Sequence, residues 1–269
     1  MEILDLLGEG PRDYRELWAL QREIHADVVS GVRPDTVILV EHASVYTAGK
    51  RTAARDRPVD GSEVIDVDRG GRITWHGPGQ LVAYPIVRLR EPVDVVAYVR
   101  ALERAIMRVC SDLGIETLRV EDRSGVWLPA TGSRRERKVC AIGVRVAKSV
   151  TMHGLALNCN PDLAEFDRIV PCGISDADVT SLSLESPSVV TIADAAPLVV
   201  AALCDALADI RWTSSPAVSP TPAATATAAP PSAGPTSAAP PPAAPEPTGA
   251  SAAAPPPAAP EPTGASAAE

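Results

Sequence analysis

The sequence predicts an α+β domain, a mixed and largely antiparallel sheet flanked by helices, followed by a disordered C-terminal tail. Three observations predict it. Strand-like runs outnumber helical patterns, and many runs follow one another too closely for crossover helices, which favours antiparallel pairing over a doubly wound sheet. Two helical stripes are long enough to cover such a sheet. Finally, 16 of the 27 prolines fall within 214–269, a stretch without an aromatic residue. It repeats "PPPAAPEPTGASAA" at Pro240–Ala253 and Pro255–Ala268. Such a segment buries too little apolar surface to offset roughly 1–2 kcal/mol of backbone entropy per residue. The expected division is a folded domain over 1–213 and a Pro/Ala-rich tail over 214–269.

The elements follow in order. Tyr14, Leu17, Trp18, Ile24 and Val28 predict an amphipathic helix over Arg12–Val29. "DTVILVEH" reads as a buried strand, and "EVIDVDRG" and "QLVAYPIVRL" as two more. Between the last two lies the glycine-rich "RGGRITWHGPG", expected to fold back tightly. A second helix spans Val93–Asp112 with the stripe Val96, Val99, Leu102, Ile106 and Val109. "ETLRVE", "SGVWLP", "KVCAIGVRVAKSV" and "TMHGLALNCN" are further β segments, interrupted by the basic loop "TGSRRER". A closing helix covers Thr191–Ala208.

Composition narrows the function. The formal charge is −9, and the tail contributes only Glu246, Glu261 and Glu269, so 31 acidic and 25 basic residues leave −6 on the folded part. General nucleic-acid binding is disfavoured, because it rests on neutralising phosphates. "MEILDLLGEG" lacks the features of a signal peptide, and no apolar run reaches about 18 residues, so a cytoplasmic protein without a membrane segment is expected. The five cysteines never form C-x-x-C, which speaks against a structural metal or a disulfide framework.

Cys172 stands apart from the other cysteines. In "RIVPCGIS" it sits between Pro171 and Gly173, where an apolar run breaks, whereas Cys110 and Cys204 fall on apolar helix faces and Cys140 and Cys159 within strand-like runs. An unpaired cysteine is commonly a small core residue. A reactive one needs help, since a thiol with pKa about 8.5 is only slightly ionised at neutral pH. His25, His42, His76, His153 or Lys138 could supply it. Lys138 enters the apolar run "VCAIGV", where an ammonium is expensive without a partner, although a solvated lysine at a strand end is the plainer reading. The glycine-rich segment fits neither phosphate-loop pattern.

Four motifs together carry a resemblance. "RGGRITWHGPGQLVAYPI" at Arg69–Ile86, "KVCAIGVRV" from Lys138, "HGLALN" at His153–Asn158 and "IVPCGI" at Ile169–Ile174 resemble the lipoyl(octanoyl) transferase family, in its order and spacing, over roughly residues 1–210. "VILVEHASVYTAGK" resembles that family's early strand and loop. The resemblance implies the fold shared with biotin and lipoate ligases. It also implies transfer of an octanoyl group from octanoyl-acyl carrier protein to a lipoyl-domain lysine, through a cysteine thioester.

Carried over by resemblance, Cys172 is the nucleophile and Lys138 its partner. Arg69, Gly70, Gly71, Arg72, Ile73, Thr74, Trp75 and His76 line the acyl site with Ala141, Ile142, Gly143, Gly154, Leu155 and Ala156. No cofactor and no metal are expected, because thiolate attack on a thioester needs no ATP. The implied partners are octanoyl-acyl carrier protein and the lipoyl domains of 2-oxoacid dehydrogenase complexes and of glycine cleavage H protein. Arg51, Arg55, Arg57, Arg134, Arg135 and Arg137 are the expected docking cations. The rivals are an ATP-dependent lipoate or biotin ligase of the same fold, a thioesterase, and a noncatalytic lipoyl-domain binder.

Overall fold

The computed structural model describes residues 1–170 and 176–212. Helix α1 (Tyr14–Ser30) begins where the Asp13 carboxylate accepts from the amides of Arg15 and Glu16 at 2.8 and 3.0 Å. It ends at Gly31, whose φ of +79° only glycine adopts readily. Helix α2 (Val95–Asp112) is capped by Asp94, and helix α4 (Ile192–Leu207) by a reciprocal Thr191–Asp194 box. Helix α3 (Leu182–Glu185) is a single turn.

Eight strands form the main sheet. Its path runs from β1 (Glu2–Asp5) through β2 (Thr36–Val40), β6 (Gln80–Ile86), β10 (Val150–Asn158), β9 (Arg137–Ala147) and β8 (Arg123–Leu128) to β7 (Leu118–Val120). All neighbours on this path are antiparallel except β1 and β2. The short β11 (Asp178–Val179) lies parallel to the start of β9. A second sheet places β3 (Val45–Ala48) between β4 (Val64–Asp66) and β5 (Thr74–His76).

Period-two alternation assigns the two faces of the main sheet. Val37, Leu39, Leu81, Ala83, Leu155 and Leu157 point into a core with α2 and α4, through Leu102, Ile106, Val109, Val199 and Leu203. Ile38, Val40, Val82, Tyr84 and Ala156 point the other way, where α1 covers them with Leu17, Ile24 and Val28. Each of these large aliphatic side chains contributes roughly 1.5–3 kcal/mol by leaving water.

The architecture is the α+β arrangement the sequence predicts, with several local differences. Strand β3 occupies "VYTA", expected as loop, and β5 occupies the middle of the glycine-rich segment. Both are short and gain strand conformation from their partners, β5 from β3, and β3 from β4 and β5. Strands β1 and β11 also escaped the periodicity, being four and two residues long. In α2 the buried stripe starts at Tyr98, and Val96 is 68% exposed because the first turn does not reach the core. The tail from 214 onward and Cys172 lie outside the described residues.

Candidate active site

On the α1 side of the sheet, two successive inward positions on each of two neighbouring strands carry almost no side chain. Ala141 pairs with Ala156, and Gly143 with Gly154, across β9 and β10. The missing bulk leaves a cavity of about 270 Å³. Arg69 and Gly70 pass over Gly143 so closely that a Cβ there would stand 3.0 Å from Arg69 Cδ. On Gly154 a Cβ would overlap the Ala83 carbonyl and the Pro85 ring. The glycines therefore set how near the roof and the neighbouring strand can come.

Lys138 reaches this cavity through a β-bulge. Strict alternation would put it on the face of Cys140 and Ile142, beneath α2 and α4. The register between β8 and β9 shifts instead: Trp127 pairs with Lys138 while Val126 pairs with Cys140, so Val139 is an extra residue. Val139 and Cys140 both join the α2/α4 core, and Lys138 is turned into the cavity with Ala141 and Gly143. It is 7% exposed, and its Nζ lies 4.4 Å from the centroid of the Trp127 ring. Gly125, at φ +124°, lets β8 approach the bulge closely, since a Cβ there would stand 2.5 Å from the Cys140 carbonyl oxygen, with Lys138 Cε in ordinary contact at 3.4 Å.

Tyr14, His76 and Tyr84 form a polar stretch of the wall that is uncharged near neutral pH, with His42 packed against them. Burial pushes His76 down to about 3 and His42 to about 4, and raises Tyr14 to about 12 and Tyr84 well above its ordinary value. His42 donates from Nδ1 to the Arg12 carbonyl at 3.2 Å, and its Nε2 accepts from the Tyr84 hydroxyl at 2.7 Å, a tautomer assigned from these partners. His76 Nδ1 donates to Gln80 Oε1 at 2.7 Å. Gln80 then donates to Asn158 Oδ1 at 2.8 Å, and Asn158 to the Thr180 carbonyl at 2.9 Å. Thr180 in turn donates its amide to the Lys138 carbonyl at 2.9 Å. A chain of hydrogen bonds thus ties the cavity wall to the strand carrying Lys138.

Two charged groups support the roof. The Arg69 guanidinium donates to the carbonyls of Thr47, Gly70 and Arg72 at 2.8–3.1 Å, so it holds the glycine-rich segment in shape. Asp68 accepts from His153 Nε2 at 2.7 Å and pairs with Arg145. The His153 hydrogen bond, helped by Arg145, holds the carboxylate down to about 2, against the effect of burial. Burial outweighs the same carboxylate for His153, whose pKa is lowered, so the imidazole stays neutral and donates.

Of the residues singled out in the sequence, Lys138, Arg69, Gly71, Arg72, Thr74, His76, Ala141, Ile142, Gly143, Gly154, Leu155 and Ala156 line one cavity. The side chains of Ile142 and Leu155 belong to the opposite core. Ile73 and Trp75 pack behind the cavity with Tyr46 and Phe166, and Gly70 donates to the Val144 carbonyl at 2.9 Å. Cys172 lies outside the described residues. Arg51 is exposed and lines the cavity, as does Arg123. Arg137 differs from expectation: it is 6% exposed and locked with Glu185 by two hydrogen bonds of 2.7 Å, because β11 and α3 cover it. Tyr14, Val82, Tyr84, Asp122, Arg123 and Ser124 also line the cavity. Alternation along β6 could have marked Val82 and Tyr84; nothing local marks the others.

Among the described residues no helix is long and apolar enough to cross a membrane. The fold is one shared with solved lipoate protein ligases. A bipartite lipoate protein ligase of Thermoplasma acidophilum, described with its E2 lipoyl domain, superposes with a TM-score of 0.58 at 15% identity, over 77% of this chain and 83% of that one. The lipoyl protein ligase A/B catalytic domain model matches residues 13–204.

Sequence relatives are more specific. The octanoyltransferase of Salinispora arenicola is 59% identical over 196 residues, 73% of this chain and 92% of the relative. That of Thermobifida fusca is 62% identical over 192 residues, 70% of this chain and 81% of the relative. This chain belongs to the octanoyltransferase family and is an acyltransferase of protein lipoylation.

Proposed function

We propose that octanoyl transfer by this chain proceeds in two exchanges through Cys172, with Lys138 carrying the proton between them. In the first, the Cys172 thiolate attacks the thioester carbonyl of octanoyl-acyl carrier protein. The new C–S bond forms, the carrier C–S bond breaks, and the departing thiolate takes a proton from the Lys138 ammonium. In the second, a lysine amine of a lipoyl domain attacks the enzyme thioester. It gives its surplus proton to the now neutral Lys138 as the amide forms and Cys172 leaves. No ATP is consumed. The acceptors are the lipoyl domains of 2-oxoacid dehydrogenase complexes and of glycine cleavage H protein, met in the cytoplasm.

The observation that carries this reading is the bulge that turns Lys138 out of the core face and into the acyl cavity. The described residues flanking Cys172 support it. The Val170 amide donates to the Asp56 carbonyl, and the Asp56 carboxylate accepts from cavity-lining Arg72. Asp176 accepts from Arg123, also of the cavity, at 2.7 Å. The small-residue trough suits an alkyl chain, and seven buried carbons at about 0.8 kcal/mol each contribute roughly 5 kcal/mol.

Intact-protein mass spectrometry after incubation with octanoyl-acyl carrier protein tests the reading. The expected result is an octanoyl adduct absent from Cys172→Ala and discharged by a lipoyl domain. No adduct, with lipoyl-domain modification only when free octanoate and ATP are supplied, would overturn it.

A further inference from the structure

We infer that Trp127 is the positioning residue for Lys138, its ring face holding the ammonium at the reacting end of the cavity. The inference rests on Lys138 as the proton carrier. The ring is nearly sealed from solvent, at 1% exposure, and lies opposite Lys138 in the bulged register of β8 and β9. With Nζ 4.4 Å from the centroid, the ammonium sits within the range where the ring quadrupole attracts a cation. The indole itself cannot swing away, because Nε1 donates to the Arg123 carbonyl at 3.2 Å. The same Arg123 grips Asp176 through its guanidinium, so the ring is tied to the described edge of the segment that contains Cys172.

An aromatic face does something a carboxylate partner could not. It restrains a side chain of four rotatable bonds without adding a negative charge that would oppose a thiolate nearby. It also holds the ammonium without itself taking up any N–H donor in a directed hydrogen bond. Its attraction is selective for the charged form of the lysine, the form that donates in the first exchange.

Single-turnover acylation by octanoyl-acyl carrier protein, followed by quenched-flow mass spectrometry, tests this with two variants of nearly equal shape. Trp127→Phe keeps an electron-rich ring face, whereas Trp127→pentafluorophenylalanine inverts it, so any packing defect is common to both. The expected result is an acylation rate roughly tenfold lower for the fluorinated variant than for Trp127→Phe, the factor a desolvated cation–π contact supports. The KM for the carrier should be alike in the two. Equal rates would overturn the inference. Lys138→Met, measured alongside, separates the premises: slow acylation there together with equal Phe and pentafluorophenylalanine rates removes the role of Trp127 alone. Wild-type acylation by Lys138→Met removes the role of Lys138 itself, and with it that of the ring.

Discussion

Single residues in this protein are held by what surrounds them, and Gly125 shows how tightly. Its φ of +124° is strained for alanine, and a Cβ there would stand 2.5 Å from the carbonyl oxygen of Cys140 in the bulge that orients Lys138. Gly125→Ala should lower stability by about 1–3 kcal/mol, read from urea midpoints, and should depress acylation further than that loss of folded protein explains. The buried histidines give a pH signature. His76 and His42 are depressed to about 3 and 4 from an ordinary value near 6.5, so below that pH the unfolded chain takes up protons that the folded one refuses. Stability therefore falls as pH drops from about 6.5 towards 4, and His76→Gln should flatten that slope. A second loss follows for the carboxylates. Asp68 is held down to about 2, and so is Glu185, where burial is overcome by hydrogen bonds from Arg137, Thr180 and Arg134. Their stabilisation is present above the unfolded carboxylate range and disappears as pH falls through about 2. Urea midpoints of Asp68→Asn across pH 2–5 should show a shallower decline than wild type.

At the level of elements, the hydrogen-bonded path from β5 through β6 and β10 to Thr180, just after β11, depends on Asn158. Asn158→Ala would leave Gln80 Nε2 with only its 3.4 Å contact to the Trp75 carbonyl, and the Thr180 carbonyl without its donor. A loss of about 1–3 kcal/mol is expected, together with a fall in turnover because Thr180 also fixes the Lys138 backbone. Thermal unfolding and acylation rate check the two parts separately. These elements also show what was legible beforehand. Helices α1 and α2 announced themselves through long apolar stripes, α4 as a closing helical run, and β2, β6, β9 and β10 through dense runs of Val, Ile and Leu. Strands β1, β3, β5 and β11 did not, because two to four residues carry too little pattern and owe their conformation to partners far away in sequence. The orientation of Lys138 was hidden for a related reason. A bulge is a mismatch between two strands, and no single strand records it. The lining residues Ala141, Gly143, Gly154 and Ala156 came from motif resemblance, whereas Tyr14 and Ser124 entered only through the packing of α1 and β8.

For the whole molecule, an acidic chain for which carrier and lipoyl domains are the proposed partners must rely on local positive charge. Arg51 is exposed and opens onto the cavity, whereas Arg134 and Arg137 are engaged with Glu185. Arg51→Glu should raise the KM for octanoyl-acyl carrier protein several-fold at low salt and much less at high salt, where a Debye length of about 3 Å at 1 M screens the contact. Removal of everything after Thr213 should leave both turnover and the urea midpoint unchanged, which steady-state assays of the truncated chain will show. The trough of the cavity sets a direction for redesign. Its floor is already stripped to Ala141, Gly143, Gly154 and Ala156, so substitution there can widen it by no more than the methyl of Ala141 or Ala156, and any larger residue narrows it. A variant built to carry a branched or aromatic acyl group must therefore be sought in the opposite wall, by trimming Tyr14 or Thr74.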